Sequence, residues 1–113
     1  IEQTKNLNMV SIPGAFTPSE IVKAHELGAD FVKLFPAGSI GAGYIKAVRA
    51  PLDHIPLLAV GGVNIDNMTE FLKAGAAGLG IGGNLVNKAL INSGKYDEVE
   101  KIARNYVKKL KEV

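Results

Sequence analysis

Phe31-Val32-Lys33-Leu34-Phe35-Pro36-Ala37 is the stretch on which the reading of this chain turns. It is a short apolar run, bounded by Gly28-Ala29-Asp30 before it and Gly38 after it, the pattern of a β-strand between turns. Side chains alternate along a strand, so Phe31, Lys33 and Phe35 share one face while Val32 and Leu34 share the other. A strand apolar on both faces is expected to be buried on both. An ammonium group there is costly unless it is paired, or held neutral and put to use. Burial lowers the pKa of an amine, and a free amine in a dry pocket is the nucleophile that forms Schiff bases with carbonyl compounds. The alternative for Lys33 is a strand-end lysine that reaches water or pairs with an acid.

Around this segment the chain reads as one globular domain's worth of protein: 113 residues, 47% hydrophobic, 21% charged and a net charge of +2. Much of the basic excess lies at the end, in Lys101, Arg104, Lys108, Lys109 and Lys111, as on the solvated face of a last helix. The one aromatic residue among these charges, Tyr106, falls on the apolar stripe of that helix and offers no stacking surface with them, so nucleic acid is not an expected partner. The absence of cysteine excludes disulfides, thiolate metal sites and a cysteine nucleophile. No apolar run approaches membrane-spanning length, and a cytoplasmic protein without a membrane partner is the expectation. His25 and His54 stand far apart in sequence without ligand-spaced companions and are read as surface residues, so no metal is expected. The segment Ile1-Glu2-Gln3-Thr4-Lys5-Asn6 reads as the tail of a helix already under way, which raises the expectation of a fragment or processed chain.

Four strand-then-helix units follow one another. Met9-Val10-Ser11-Ile12 is expected as a first strand, ending at Pro13-Gly14. Thr17-Pro18-Ser19-Glu20 carries a hydroxyl cap, a proline at the first helical position and a glutamate three residues after the cap, and its helix runs to about Leu27. The lysine strand and a helix around Tyr44 to Val48 form the second unit. The third is Ile55-Pro56-Leu57-Leu58-Ala59-Val60, then Gly61-Gly62 and a helix capped by Asn64 with Met68, Phe71 and Leu72 on its apolar stripe. The fourth is Ala77-Gly78-Leu79-Gly80-Ile81, then Gly82-Gly83 and a short helix from about Asn84. A last amphipathic helix carries Val99, Ile102, Ala103, Tyr106 and Leu110. Alternation of strand and helix implies an α/β fold with a parallel sheet, either a small flavodoxin-like sandwich or half of an eight-stranded barrel. A complete barrel needs roughly 200 residues or more.

Gly61-Gly62 and Gly82-Gly83-Asn84 both stand just past strand ends. Paired glycines let a backbone approach a ligand closely and leave amides free to face it, and a following helix N-terminus favours anions. A lone pair is more often a tight turn; two pairs after consecutive strands, next to a lysine strand, point to phosphate binding. Asn84-Leu85-Val86-Asn87 is read as the short extra helix that completes such a site in barrels.

Taken together, Gly14-Ala15-Phe16-Thr17-Pro18-Ser19-Glu20, the lysine stretch, Val60-Gly61-Gly62-Val63 and Gly82-Gly83-Asn84-Leu85-Val86 resemble the C-terminal half of the 2-keto-3-deoxy-6-phosphogluconate (KDPG) aldolases, a family that includes 4-hydroxy-2-oxoglutarate and phosphogalactonate aldolases. The resemblance covers nearly the whole chain. It implies residues 1–113 as four βα units equivalent to strands five to eight of a (β/α)8 TIM barrel, in a family of trimers. It implies Lys33 as the Schiff-base lysine of a class I aldolase that uses no cofactor beyond the lysine imine. Phe35 would pack beside the pyruvyl group, and Gly61, Gly62, Gly82, Gly83 and Asn84 would hold the phosphate. The implied reaction cleaves a phosphorylated keto-deoxy acid to pyruvate and glyceraldehyde 3-phosphate. The implied protein partner is a homo-oligomeric copy or the other barrel half.

Two positions depart from the common KDPG pattern. Val60 stands where threonine is frequent, as in phosphogalactonate-type members, and Asn84 where serine is frequent. Losing a hydroxyl that holds a substrate hydroxyl shifts selectivity at C4. Asparagine still donates to a phosphate but also suits a smaller acid. The family's acid/base glutamate and carboxylate-binding arginine, on an early strand, have no counterpart: Glu20, Glu26, Asp53, Asp66, Glu70 and the C-terminal acids fall in expected helices and caps facing solvent. Strands one and four should expose bare edges. Two other readings stay open: a non-catalytic phosphate-binding or assembly module, and another phosphate-binding barrel enzyme that does not use the lysine.

Overall fold

The computed structural model describes residues 1–113. Four parallel strands pair in chain order: β1 (Gly14–Ala15), β2 (Val32–Leu34), β3 (Leu57–Val60) and β4 (Gly78–Gly80). Helices fill the connections. α1 (Glu2–Asn6) precedes β1, and α2 (Pro18–Glu26) joins β1 to β2. α3 (Ala37–Ile40) and α4 (Ala42–Arg49) join β2 to β3, α5 (Met68–Lys73) joins β3 to β4, and α6 (Lys88–Asn92) and α7 (Tyr96–Lys111) follow β4.

The start of α2 is set by local chemistry. Thr17 accepts from the Glu20 amide, Glu20 accepts from the Thr17 amide, and Pro18 fills the first turn. Gly28, at φ +95°, then turns the chain toward β2. α7 is stabilised along its own length. Asp97 and Glu98 occupy its first turn and Lys108, Lys109 and Lys111 its last. Exposed pairs Glu98–Lys101 and Glu100–Arg104 add about 0.3–0.5 kcal/mol each.

Val32 and Leu34 of β2 and Leu57 and Ala59 of β3 are fully buried. They join Ile21 of α2, Ile45 and Val48 of α4, Met68 and Phe71 of α5 and Tyr106 of α7 in one apolar cluster. Each fully buried aliphatic side chain contributes about 1.5–3 kcal/mol by transfer from water. The helices therefore cover one face of the sheet.

The other face is open, and here the structure corrects the expectation of a strand buried on both sides. Phe31 is 36% and Phe35 51% exposed, and Lys33 between them is half-buried. No layer of this chain lies over that face, so the apolar pattern of β2 exceeds what these four strands cover.

Other boundaries also move. The first strand lies at Gly14–Ala15 rather than Met9–Ile12, and Val10 is 64% exposed. Ser11 and Pro13 do accept from the amides of Phe31 and Lys33, but Pro13 has no N–H to return, so the ladder closes only beyond it. The helix expected from Asn64 starts at Met68 with Asn67 as its cap residue, because the Asn64 carboxamide bonds the amides of Asp66 and Asn67 and makes a turn instead. Asn84-Leu85-Val86-Asn87 is also a turn: Leu85 and Val86 both donate to the Gly82 carbonyl, and helix begins only at Lys88 under the Asn87 cap. His25 and His54 are not apart in space, since the parallel strands bring their rings to 5.3 Å, edge to face. No helix is long and apolar enough to cross a membrane.

Candidate functional site

Because all four strands are parallel, the segments after β2, β3 and β4 leave the sheet at the same end. There Phe35, Val60, Gly61, Gly62, Val63, Gly80, Ile81, Gly82, Gly83 and Asn84 line a cavity of about 390 Å³. Of the candidate site residues, Phe35, Val60, Gly61, Gly62, Gly82, Gly83 and Asn84 lie in this lining, whereas Lys33 and the turn at residues 85–87 do not.

Lys33 sits one step back along β2, in register with Gly14 of β1 on one side and Leu58 of β3 on the other. Its Nζ lies 4.8 Å from the centroid of the Phe35 ring, which links the amine to the cavity wall. It makes no side-chain hydrogen bond, and no carboxylate stands within 4.0 Å of it. Glu20, Glu26, Asp53, Asp66 and Glu70 are all exposed, as expected from the sequence. The Glu20 carboxylate is occupied in the α2 cap, where the Thr17 amide, the Thr17 hydroxyl and the Phe16 amide hold it below the usual carboxylate range.

The glycine loops are shaped by contact with their neighbours. Gly61 and Gly62 adopt φ of +89° and +71°, conformations that side chains rarely take. A Cβ on Gly61 would lie 2.7 Å from the Phe35 ring, and one on Gly80 would lie 2.7 Å from Val60 Cγ2. Gly82 and Gly83 face open space instead. The amides of Gly61, Gly62, Gly82, Gly83 and Asn84 donate no hydrogen bond within the chain, and Asn84 Nδ2 donates to the Val63 carbonyl at 3.1 Å. The second loop is thereby tied to the first. A set of free amides at one cavity can bind an oxyanion.

Sequence reasoning passed over Gly38, Val63 and Asn67. The amide of Gly38 donates to the Gly61 carbonyl at 2.7 Å, and a Cβ on Gly38 would lie 2.8 Å from Gly62 Cα. The short spacing from Pro36 to Gly38 was the available signal of a close backbone approach. Asn67 had no signal, because its role depends on how the loop folds back. A larger hollow of about 510 Å³ lies along α7 but is lined by residues of that helix alone, so it is the flank of one element. No group of three or more His, Cys, Asp or Glu residues is placed to hold a metal ion.

A family model described as "Aldolase: KDPG and KHG aldolase" matches residues 1–102. The chain is 40% identical over 86 residues to a 2-dehydro-3-deoxy-6-phosphogalactonate aldolase of Escherichia coli K12, covering 75% of this chain and 42% of that protein. It is 31% identical over 108 residues to a 2-dehydro-3-deoxy-phosphogluconate aldolase of Haemophilus influenzae, covering 95% and 51% respectively. Among solved structures, one described as the native KDPGal structure superposes with a TM-score of 0.87 at 32% identity, over 98% of this chain and 52% of that one. The chain thus spans about half the length of the relatives it matches. Its four-stranded parallel sheet corresponds to half of a TIM-barrel-like fold. With its lysine strand and paired-glycine cavity at the strand ends, the chain belongs to the KDPG and KHG aldolase family.

Proposed function

We propose that this chain is the half of a class I aldolase that carries the Schiff-base lysine and the phosphate cradle. The observation that carries this reading is the convergence of both glycine loops with Phe35 at one cavity, next to the Lys33 amine. In the proposed reaction neutral Lys33 attacks the C2 ketone of a phosphorylated 2-keto-3-deoxy acid, and loss of water gives an iminium. The C3–C4 bond then breaks. Its electron pair moves toward the iminium nitrogen to form an enamine, the C4 hydroxyl gives up its proton, and glyceraldehyde 3-phosphate departs. The enamine takes a proton at C3, and water releases pyruvate and restores the amine. The imine is the electron sink, so the scheme calls on no metal or other cofactor.

The carboxylates of this chain offer no proton acceptor for the C4 hydroxyl: Asp30 is paired with Lys5, and the others are exposed. We assign that acceptor to a companion four-stranded half, which would also cover the open face carrying Phe31, Lys33 and Phe35. A full barrel of this kind would act in the cytoplasm as a homo-oligomer, a trimer by family resemblance, with neither nucleic acid nor membrane as partner.

Borohydride trapping with pyruvate, read by intact mass and peptide mapping on the folded chain, tests the reading. A reduced pyruvyl adduct on Lys33, lost in Lys33→Ala, is the expected result. A folded chain without an adduct would favour a second reading, a phosphate-binding or assembly module. That reading is supported by the position of Lys33 outside the cavity lining.

A further inference from the structure

Three successive carbonyls of the loop after β3 are each engaged by a different donor. Gly61 O accepts from the Gly38 amide at 2.7 Å, Gly62 O from Asn67 Nδ2 at 2.9 Å, and Val63 O from Asn84 Nδ2 at 3.1 Å. In a trans peptide the carbonyl oxygen and the next N–H point in opposite directions. Fixing Gly61 O therefore aims the Gly62 amide away from Gly38, and fixing Gly62 O aims the Val63 amide away from Asn67. Neither amide donates within the chain. Val63 is only 2% exposed, and a buried N–H without an acceptor is an uncommon and costly arrangement. Both residues line the cavity at the strand ends.

We infer that Asn67 is a positioning residue of the anion cradle, and that the buried Val63 amide is one of the donors it presents. The inference rests on the phosphate site proposed above. Asn67 is suited to the task because both ends of its carboxamide are used: Nδ2 donates to Gly62 O, and Oδ1 accepts from the Asn64 amide at 2.8 Å. The side chain thus braces the backbone from Gly62 to Asn64 and sets the plane of the peptide between Gly62 and Val63. Asn64 stiffens the neighbouring turn through Asp66 and Asn67 but touches no glycine carbonyl. The two asparagines therefore separate positioning from general loop stability.

The test is a titration of the chain with inorganic phosphate, followed on the backbone amide resonances of Gly62 and Val63. In the unaltered chain both should shift with phosphate. Asn67→Ala should weaken phosphate binding by about fivefold to tenfold, the effect of losing one hydrogen bond's worth of preorganisation. Asn64→Ala should weaken it by less than about twofold. Asn67→Ser keeps a favoured cap residue for α5 but is too short to span both partners, and it should match Asn67→Ala. Equal weakening in the Asn64 and Asn67 variants, or none in either Asn67 variant, would overturn the positioning role and leave the aldolase reading in place. Absence of any phosphate-dependent shift in the unaltered chain would remove the cradle and the Asn67 role together. Lys33 trapping would still be decided by its own experiment.

Discussion

The amide of Gly38 in α3 donates to the carbonyl of Gly61 at 2.7 Å, and this bond joins the helical turn that follows the lysine strand to the first glycine pair. The backbone that follows Lys33 and the loop proposed to bind phosphate are therefore connected directly. A side chain at position 38 cannot be absorbed by a rotamer change, because the atoms it would meet are Gly62 Cα, Gly61 O and Gly62 C, all within 2.9 Å. Gly38→Ala should destabilise the chain by about 1–3 kcal/mol and weaken phosphate binding at the same time. Chemical unfolding and the phosphate titration check the two effects. A variant of unchanged stability and affinity would show that the loops are not coupled as described.

Val60 closes β3 and lines the cavity. Threonine has nearly its shape but replaces a methyl with a hydroxyl. Val60→Thr should keep the fold and shift preference toward the gluco epimer at C4 by about fivefold to tenfold, the scale of one added hydrogen bond. Competition between the two epimeric substrates, measured on the assembled enzyme, reads this ratio. An unchanged ratio would remove Val60 as a selector.

Asp30 governs part of the acid sensitivity. The Lys5 ammonium, at 2.8 Å, and the Ser11 amide, at 2.7 Å, hold its carboxyl below its ordinary value of 3.8. A depressed carboxyl contributes stability that is present in full above the unfolded pKa and is lost as pH falls through the folded one. Melting temperature should therefore fall as pH drops below about 4. Asp30→Asn should be less stable at neutral pH and lose less between pH 5 and pH 2, a comparison that thermal melts across that range provide.

The sheet ends in two bare edges, Gly14–Ala15 and Gly78–Gly80. Beside the second edge an apolar cleft of about 220 Å³ opens between α5 and α7, lined among others by Met68, Leu72, Leu79, Tyr106 and Leu110. Open strand edges with apolar flanks pair with whatever strand is available. In isolation the chain should dimerise or aggregate. Size-exclusion chromatography with light scattering that returns a stable monomer would contradict this.

What could be read from residues alone follows from how local each determinant is. The α2 cap was legible because Thr17, Pro18 and Glu20 make their bonds within one turn. The positions of Lys33 within β2 and of the glycine pairs just past β3 and β4 were legible because each belongs to, or directly follows, a short apolar run. The first strand was misplaced because pairing with β2, rather than hydrophobicity, selects Gly14–Ala15 over Met9–Ile12. The open face of β2 was missed because alternation reveals that a face is apolar, and says nothing about whether this chain covers it. The Asn67 brace was invisible for a related reason: an asparagine in a polar loop announces a turn, not which carbonyl it will hold.

The register of β1 against β2 carries one further consequence. Lys33 pairs with Gly14, and a Cβ added at Gly14 would meet nothing within 4 Å. The flank of the amine is thus bordered by a residue that occupies almost no volume, whereas the loops proposed to bind phosphate follow β3 and β4, on the other side of β2. In the proposed aldolase a bulkier residue at position 14 would therefore narrow the space beside the amine without meeting either glycine loop.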